Sequence, residues 1–167
     1  SWQRQVLFVK GGDYVVMRDD LEDAEHSMPT GWTVQVLADR ADVMAGRARC
    51  IGQQGVDLDV LMTEPANAEL ATSTWGHDGQ PSPDWVAPTT MPAMGETQIA
   101  LHATAPPDSD YLVAMFPYPH GEAAPDMSSA GDGMIRIARG DERDLVFMHR
   151  TKHLMQAEGV RFGGHVG

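Results

Sequence analysis

The residues in this chain with chemistry to offer are seven histidines, two close-set aspartate pairs, eight arginines that could contact a carboxylate, and a few aromatic rings in irregular sequence. Histidine binds metals and moves protons near neutral pH. Of His26, His77, His102, His120, His149, His153 and His165, only His149 and His153 have helical ligand spacing, and the stretch Asp144 to Met148 reads as strand. The histidines are therefore expected at polar surfaces, with no metal site and no cofactor, and His77, His102 and His120 as the ones to inspect. Asp57 and Asp59 share one face of an alternating segment, while Asp19 and Asp20 close the first hairpin. Paired carboxylates can serve acid–base catalysis or bind Ca²⁺, but the expected setting for Asp57 and Asp59 is a solvated outer face.

Trp75, Trp85 and Tyr118, with His77 and His120 nearby in sequence, are the substrate-binding candidates. Aromatic rings offer sugars a flat apolar platform, and polar neighbours add hydrogen bonds around it. For an acidic sugar, Arg18, Arg40, Arg47, Arg49, Arg136, Arg139, Arg143 and Arg150 are the cations suited to bidentate carboxylate contacts. Cys50 is the only cysteine, which rules out an intramolecular disulfide and a Cys-rich zinc site. Its neighbours Arg47 and Arg49 would lower a thiol pKa if they faced it, yet a structural role is expected.

Composition narrows the function classes. The chain has 167 residues, 42% of them hydrophobic and 22% charged, which suits one globular domain with a sizeable core. Its net charge of -12 repels phosphate backbones and anionic lipid, so neither nucleic acid nor a membrane surface is an expected partner. No apolar run approaches the roughly 20 residues that span a bilayer, and the first residues do not read as a leader.

The elements that must position these residues read as strands. Val6 to Val9 and Tyr14 to Met17 flank the turn cluster Lys10-Gly-Gly-Asp13, a hairpin pattern. Trp32 to Ala38 begins with alternation, and Arg40 to Ala48 suits a strand or a turn around Gly46. Val56, Leu58 and Val60 alternate with Asp57 and Asp59. Residues 63–95 hold Pro65, Pro81, Pro83, Pro88 and Pro92 and are expected to be mostly loop, far longer than the usual connection of about 4–6 residues. Strands resume at Glu96 to Ala103 and Tyr111 to Phe116; a second loop is expected over Pro117 to Gly133. Met134 to Ala138 and Asp144 to His149 follow, and the Gly-rich tail from Arg161 is a candidate edge strand. With no sustained helical period, the expectation is one all-β domain, an antiparallel β-sandwich with long irregular loops and little helix.

Three segments carry a resemblance. Arg4 to Leu21, then Trp32 to Ala38 with Gly52 to Val60 and Pro65, then Tyr111 to Pro117 with Asp144 to Met148 and Phe162 to Gly164, are similar to the C-terminal β-sheet domain of heparinase II/III-like polysaccharide lyases, a group that includes alginate and oligoalginate lyases. The resemblance implies a supersandwich-like fold and a place in the β-elimination of uronate polysaccharides, as a structural or substrate-contacting part. It also implies a periplasmic or secreted setting. In that family an α/α-toroid supplies most of the catalytic groups, and this chain contains no toroid. Gln35 occupies the position where many members have a histidine, and Gln can act neither as a general base nor as a good zinc ligand. The catalytic residues are therefore unassigned and the chain is expected to be inactive alone. Its partners would be an acidic polysaccharide or oligosaccharide, and either the missing toroid or a second copy. An independent carbohydrate-binding sandwich and a cupin-like metal enzyme are the alternatives.

Overall fold

A computed structural model describes residues 1–22, 29–66, 68–75 and 98–166. Expectations that fall on His26, His77 and Trp85 lie outside the described residues. The described chain holds twelve strands and no helix: β1 (Trp2–Val9), β2 (Tyr14–Leu21), β3 (Thr30–Met44), β4 (Arg47–Gly52), β5 (Val56–Glu64), β6 (Glu69–Trp75), β7 (Gln98–Ala105), β8 (Tyr111–Pro119), β9 (Asp126–Gly131), β10 (Met134–Arg139), β11 (Glu142–Ala157) and β12 (Val160–Val166). None of its elements is a helix long and apolar enough to cross a membrane.

The strands form an eight-stranded sheet in the order β1-β2-β8-β5-β4-β3-β7-β6 and a four-stranded sheet in the order β12-β11-β10-β9, with every neighbouring pair antiparallel. Strand β3 makes the larger sheet into a sandwich. Its first half, from Thr30 to Leu37, pairs with β7, and after a register shift between Ala38 and Arg40 its second half pairs with β4. A bulge of this kind bends a strand. It brings Trp32, Leu70, Ile99 and Leu101 into one core with Cys50, Val60, Met62 and Val113.

The other face of the larger sheet packs on the four-stranded sheet. Tyr14, Val16, Leu112, Ala114, Phe116 and Tyr118 meet Met127, Ile135, Ile137, Val146 and Met148. Strand β8 therefore lies between two cores, which is why Tyr111 to Phe116 reads as an unbroken apolar run instead of an alternating one. Strand β11 also serves two partners, pairing with β10 before a register shift between Met148 and His153 and with β12 throughout its later part. There Phe162 stacks on Phe147 with ring centroids 5.2 Å apart.

The hairpin, the all-β class and the edge strand in the tail stand as expected. Two predicted loops are partly strand. β5 runs to Glu64 and β6 occupies Glu69–Trp75 inside the expected loop 63–95, because the β-branched and alternating residues there precede most of its prolines. β9 lies inside the expected loop from Pro117 to Gly133; Met127 is its single fully buried anchor, too little for a visible period of two, and β10 holds it in place.

Candidate functional site

Alternation along β5 sends Leu58, Val60 and Met62 into one core and leaves Asp57 and Asp59 on the opposite face with Leu61. Cross-strand register then decides what surrounds them. Asp59 lies opposite Arg49 of β4 on one side and Phe116 of β8 on the other, and Asp57 lies opposite Tyr118. Residues distant in sequence thus meet at one end of the core between the two sheets.

The expected solvated acidic face is buried: Asp57 is 5% exposed and Asp59 is 0% exposed. A carboxylate loses its hydration there, so burial is stable only with compensating charge and hydrogen bonds. Asp59 accepts from Arg49 Nε at 3.0 Å and Nη2 at 3.4 Å, from Arg47 Nη2 at 3.4 Å and from the Tyr118 hydroxyl at 3.2 Å. Arg47 also donates to the Pro125 carbonyl at 3.2 Å, which pins the segment leading into β9. Asp57 accepts from the Gly52 N–H at 3.1 Å and pairs with His120 Nδ1 at 3.0 Å. Gly52 has no substitute at this close approach, since a Cβ would lie 1.7 Å from the Val56 carbonyl oxygen.

Two carboxylates fixed from below hold Arg49 and His120, whose side chains face outward. The side chain of Arg49 is 45% exposed and that of His120 is 59% exposed, whereas Asp59 beneath them has no exposure. Burial acts to raise the Asp57 carboxyl, but hydrogen bonds from His120 and Gly52, with the charges of His120 and Arg49, outweigh it and hold the group below the usual carboxylate range. The Tyr118 phenol is pushed up to about 12, first by burial and then by the charge of Asp59. A phenol in that state donates a hydrogen bond at neutral pH and does not act as a base. Arg49 is held in its charged form by its bond to Asp59 and by that carboxylate's charge.

Cys50 directly follows Arg49 in sequence but lies on the opposite face of β4, buried in the core that also holds Trp32. Its thiol is pushed up to about 11, chiefly by burial and then by Asp59 and Asp42, so the arginines do not activate it. An open groove of about 500 Å³ adjoins the site beyond the Pro125 segment, lined by Ala124, Arg139 and Arg143 among others. Arg139 is paired there with Glu122 at 3.0 Å.

The structure thus brings together Tyr118, His120, Asp57, Asp59, Arg47 and Arg49, and keeps other candidates apart. His102 lies on β7, where its Nε2 is 2.6 Å from Ser73 Oγ, and exposed Gln35 sits on the adjoining strand β3. Trp75 ends β6 in register with Gln98. Among the described residues no group of three or more His, Cys, Asp or Glu is arranged to hold a metal ion.

A second ionic cluster escaped sequence reasoning. Arg18 is buried and reaches Asp20 at 2.7 Å, Glu64 at 2.7 Å and Asp110 at 3.1 Å. Tyr14 and Val16 set the inward parity of β2, and Arg18 and Asp20 continue it, so the signal was the alternation itself. Comparison of the chain with protein-family models, curated proteins and solved structures finds no match.

Proposed function

We propose that the chain is the β-sheet part of a uronate-polysaccharide lyase resembling the heparinase II/III-like group, or a free-standing relative of that part, contacting an acidic saccharide and not catalytic alone. The observation that carries this reading is the pair Arg47 and Arg49, fixed by the fully buried Asp59 and partly open to solvent. Arg49 spends Nε and Nη2 on Asp59, so among the described residues Nη1 is available for a ligand carboxylate. His120 lies beside it at this end of the sandwich, and the adjoining groove carries Arg143 and Arg139, the latter paired with Glu122, together with Asp126. An acidic polysaccharide or oligosaccharide fits such an end. Tyr118, the aromatic hydroxyl at the site, is a donor at neutral pH, which favours binding over proton abstraction. On this reading the protein partner is a toroid domain or a second copy.

Calorimetric titration with alginate oligosaccharides tests the proposal. Binding is expected, weakened at least tenfold in Arg49→Lys, which keeps the charge but loses the planar fork, with no unsaturated product released. An absence of binding, or equal affinity in the variant, overturns the reading; product at enzyme-like rates overturns its non-catalytic half. A neutral glucan serves as the control. The outer face of β3, β7 and β6 carries the uncharged polar groups of Thr33, Gln35 and Ser73 with His102, and a single acid, Glu69, toward one end, a mix that favours the independent carbohydrate-binding reading. Binding of the neutral glucan but not the uronate would select it.

A further inference from the structure

Strand β1 is the outer strand of the eight-stranded sheet, and among the described residues β2 is its only partner. On one face it presents Trp2, Val6 and Phe8, which are 62%, 61% and 56% exposed. Exposed apolar side chains on an open strand edge are the usual starting point for pairing with another chain. The backbone parity of β1 decides which residues such pairing would use. The Ser1 amine donates to the Glu22 carbonyl and the Glu22 N–H donates back to Ser1, so the odd-numbered residues of β1 bond to β2. Antiparallel ladders alternate, and the N–H and C=O groups of Trp2, Arg4, Val6 and Phe8 therefore point to the open edge.

We infer that β1 pairs antiparallel with β1 of a second copy of this chain about a two-fold axis at Val6, joining the two larger sheets into one. The sequence is self-complementary in that register. Val6 meets its own equivalent, Arg4 meets Phe8, and Lys10 meets Trp2. Every outward backbone group from Arg4 to Phe8 gains a partner, and the contact is isologous as a two-fold axis requires. Each cation faces an aromatic ring, a favourable cross-strand pair, and no like charges are opposed. Arg4 is held in one place by Asp19 at 2.6 and 2.7 Å, and its guanidinium lies 5.0 Å from the Trp2 ring of the same strand. Residues 1–12 carry no acidic side chain, and Asp19 beside them is matched by Arg4, on a chain of net charge -12. A second copy therefore docks at the part of the surface where mutual repulsion is weakest.

This inference is independent of the saccharide reading, because β1 takes no part in the cluster at Asp59. Analytical ultracentrifugation of the full chain tests it. The wild type is expected at twice the 18.2 kDa chain mass. Val6→Lys and Val6→Glu each place like charges across the two-fold axis and are expected at the monomer mass, with melting curves showing that the exposed substitutions leave the fold intact. An equimolar mixture of the two variants opposes Lys to Glu and is expected to regain the dimer mass. A monomeric wild type overturns the inference, and so does a Val6→Lys variant that stays dimeric or a mixture that stays monomeric. If either Val6 variant fails to fold, Phe8→Arg, which sets a cation opposite Arg4, takes its place, and dimerisation of that variant overturns the register.

Discussion

Two ionic clusters border the same core between the sheets and have opposite composition. At one, a single buried cation, Arg18, is shared by three carboxylates, Asp20, Glu64 and Asp110. At the other, a single buried carboxylate, Asp59, is shared by two arginines and a tyrosine. The Arg18 cluster is closed: its side chain is 4% exposed, it also donates to the Met148 carbonyl, and Glu64 accepts from the Gly133 N–H at 2.7 Å, tying β2 and β5 to β10 and β11. Burial lowers the affinity of Arg18 for its proton, but the charges of Glu64 and Asp20 and their hydrogen bonds outweigh it. The Asp59 cluster turns its cations to water. One cluster joins layers and the other presents chemistry, and the side on which the buried charge lies makes the difference.

The largest expected effect comes from removing the cation that has nowhere to rehydrate. Arg18→Met leaves Asp20 and Glu64 uncompensated and is expected to cost about 3–5 kcal/mol, the range for breaking a buried ion pair, measured by urea unfolding. A second oxygen of Asp20 is already buried with no hydrogen-bond partner among the described residues, so no slack exists there. Asp59→Asn is expected to cost less, about 1–3 kcal/mol, because Arg47 and Arg49 can turn toward solvent when their partner loses its charge. The same substitution removes one cause of the raised Tyr118 phenol, so spectrophotometric titration should show that tyrosine ionising at lower pH. Equal costs for the two variants would break the distinction between a closed and an open cluster.

How much of this was legible in the sequence follows from the same contrast. Period-two alternation identified the strands and the all-β class, since a half-buried strand records its environment every second residue. It did not predict Asp57 and Asp59 as buried, because acidic residues on one face of a strand look alike whether water or arginine lies above them. The compensating Arg47 and Arg49 sit on the neighbouring strand, in a register that local sequence does not encode. Arg18 and Asp20 could have been assigned inward from the parity of Tyr14 and Val16. The union of Tyr118 and His120 with the aspartates needed the β5 to β8 pairing, a contact across some 60 residues in which the hydrogen bond from Tyr118 to Asp59 alone spans 59.

The smallest expected effect lies at Asp57, which is covered but only just beneath the surface, with His120 exposed above it. Its carboxyl is held below the ordinary value near 3.9. A carboxylate whose pKa is lower in the folded chain binds fewer protons there than in the unfolded chain, so its contribution is fully present above about pH 4 and fades as pH falls through the folded value. His120→Ala removes one of the two hydrogen bonds that lower it, leaving the Gly52 N–H in place. The variant should therefore unfold at lower urea concentration than the wild type at about pH 5, by less than about 1 kcal/mol for so exposed a pair, and the two midpoints should converge as the pH falls below the folded value, where Asp57 is protonated in both. A gap that persists at the lower pH would place the effect of His120 in packing instead of in its bond to Asp57, and would remove His120 from the outward-facing groups that the buried aspartates hold.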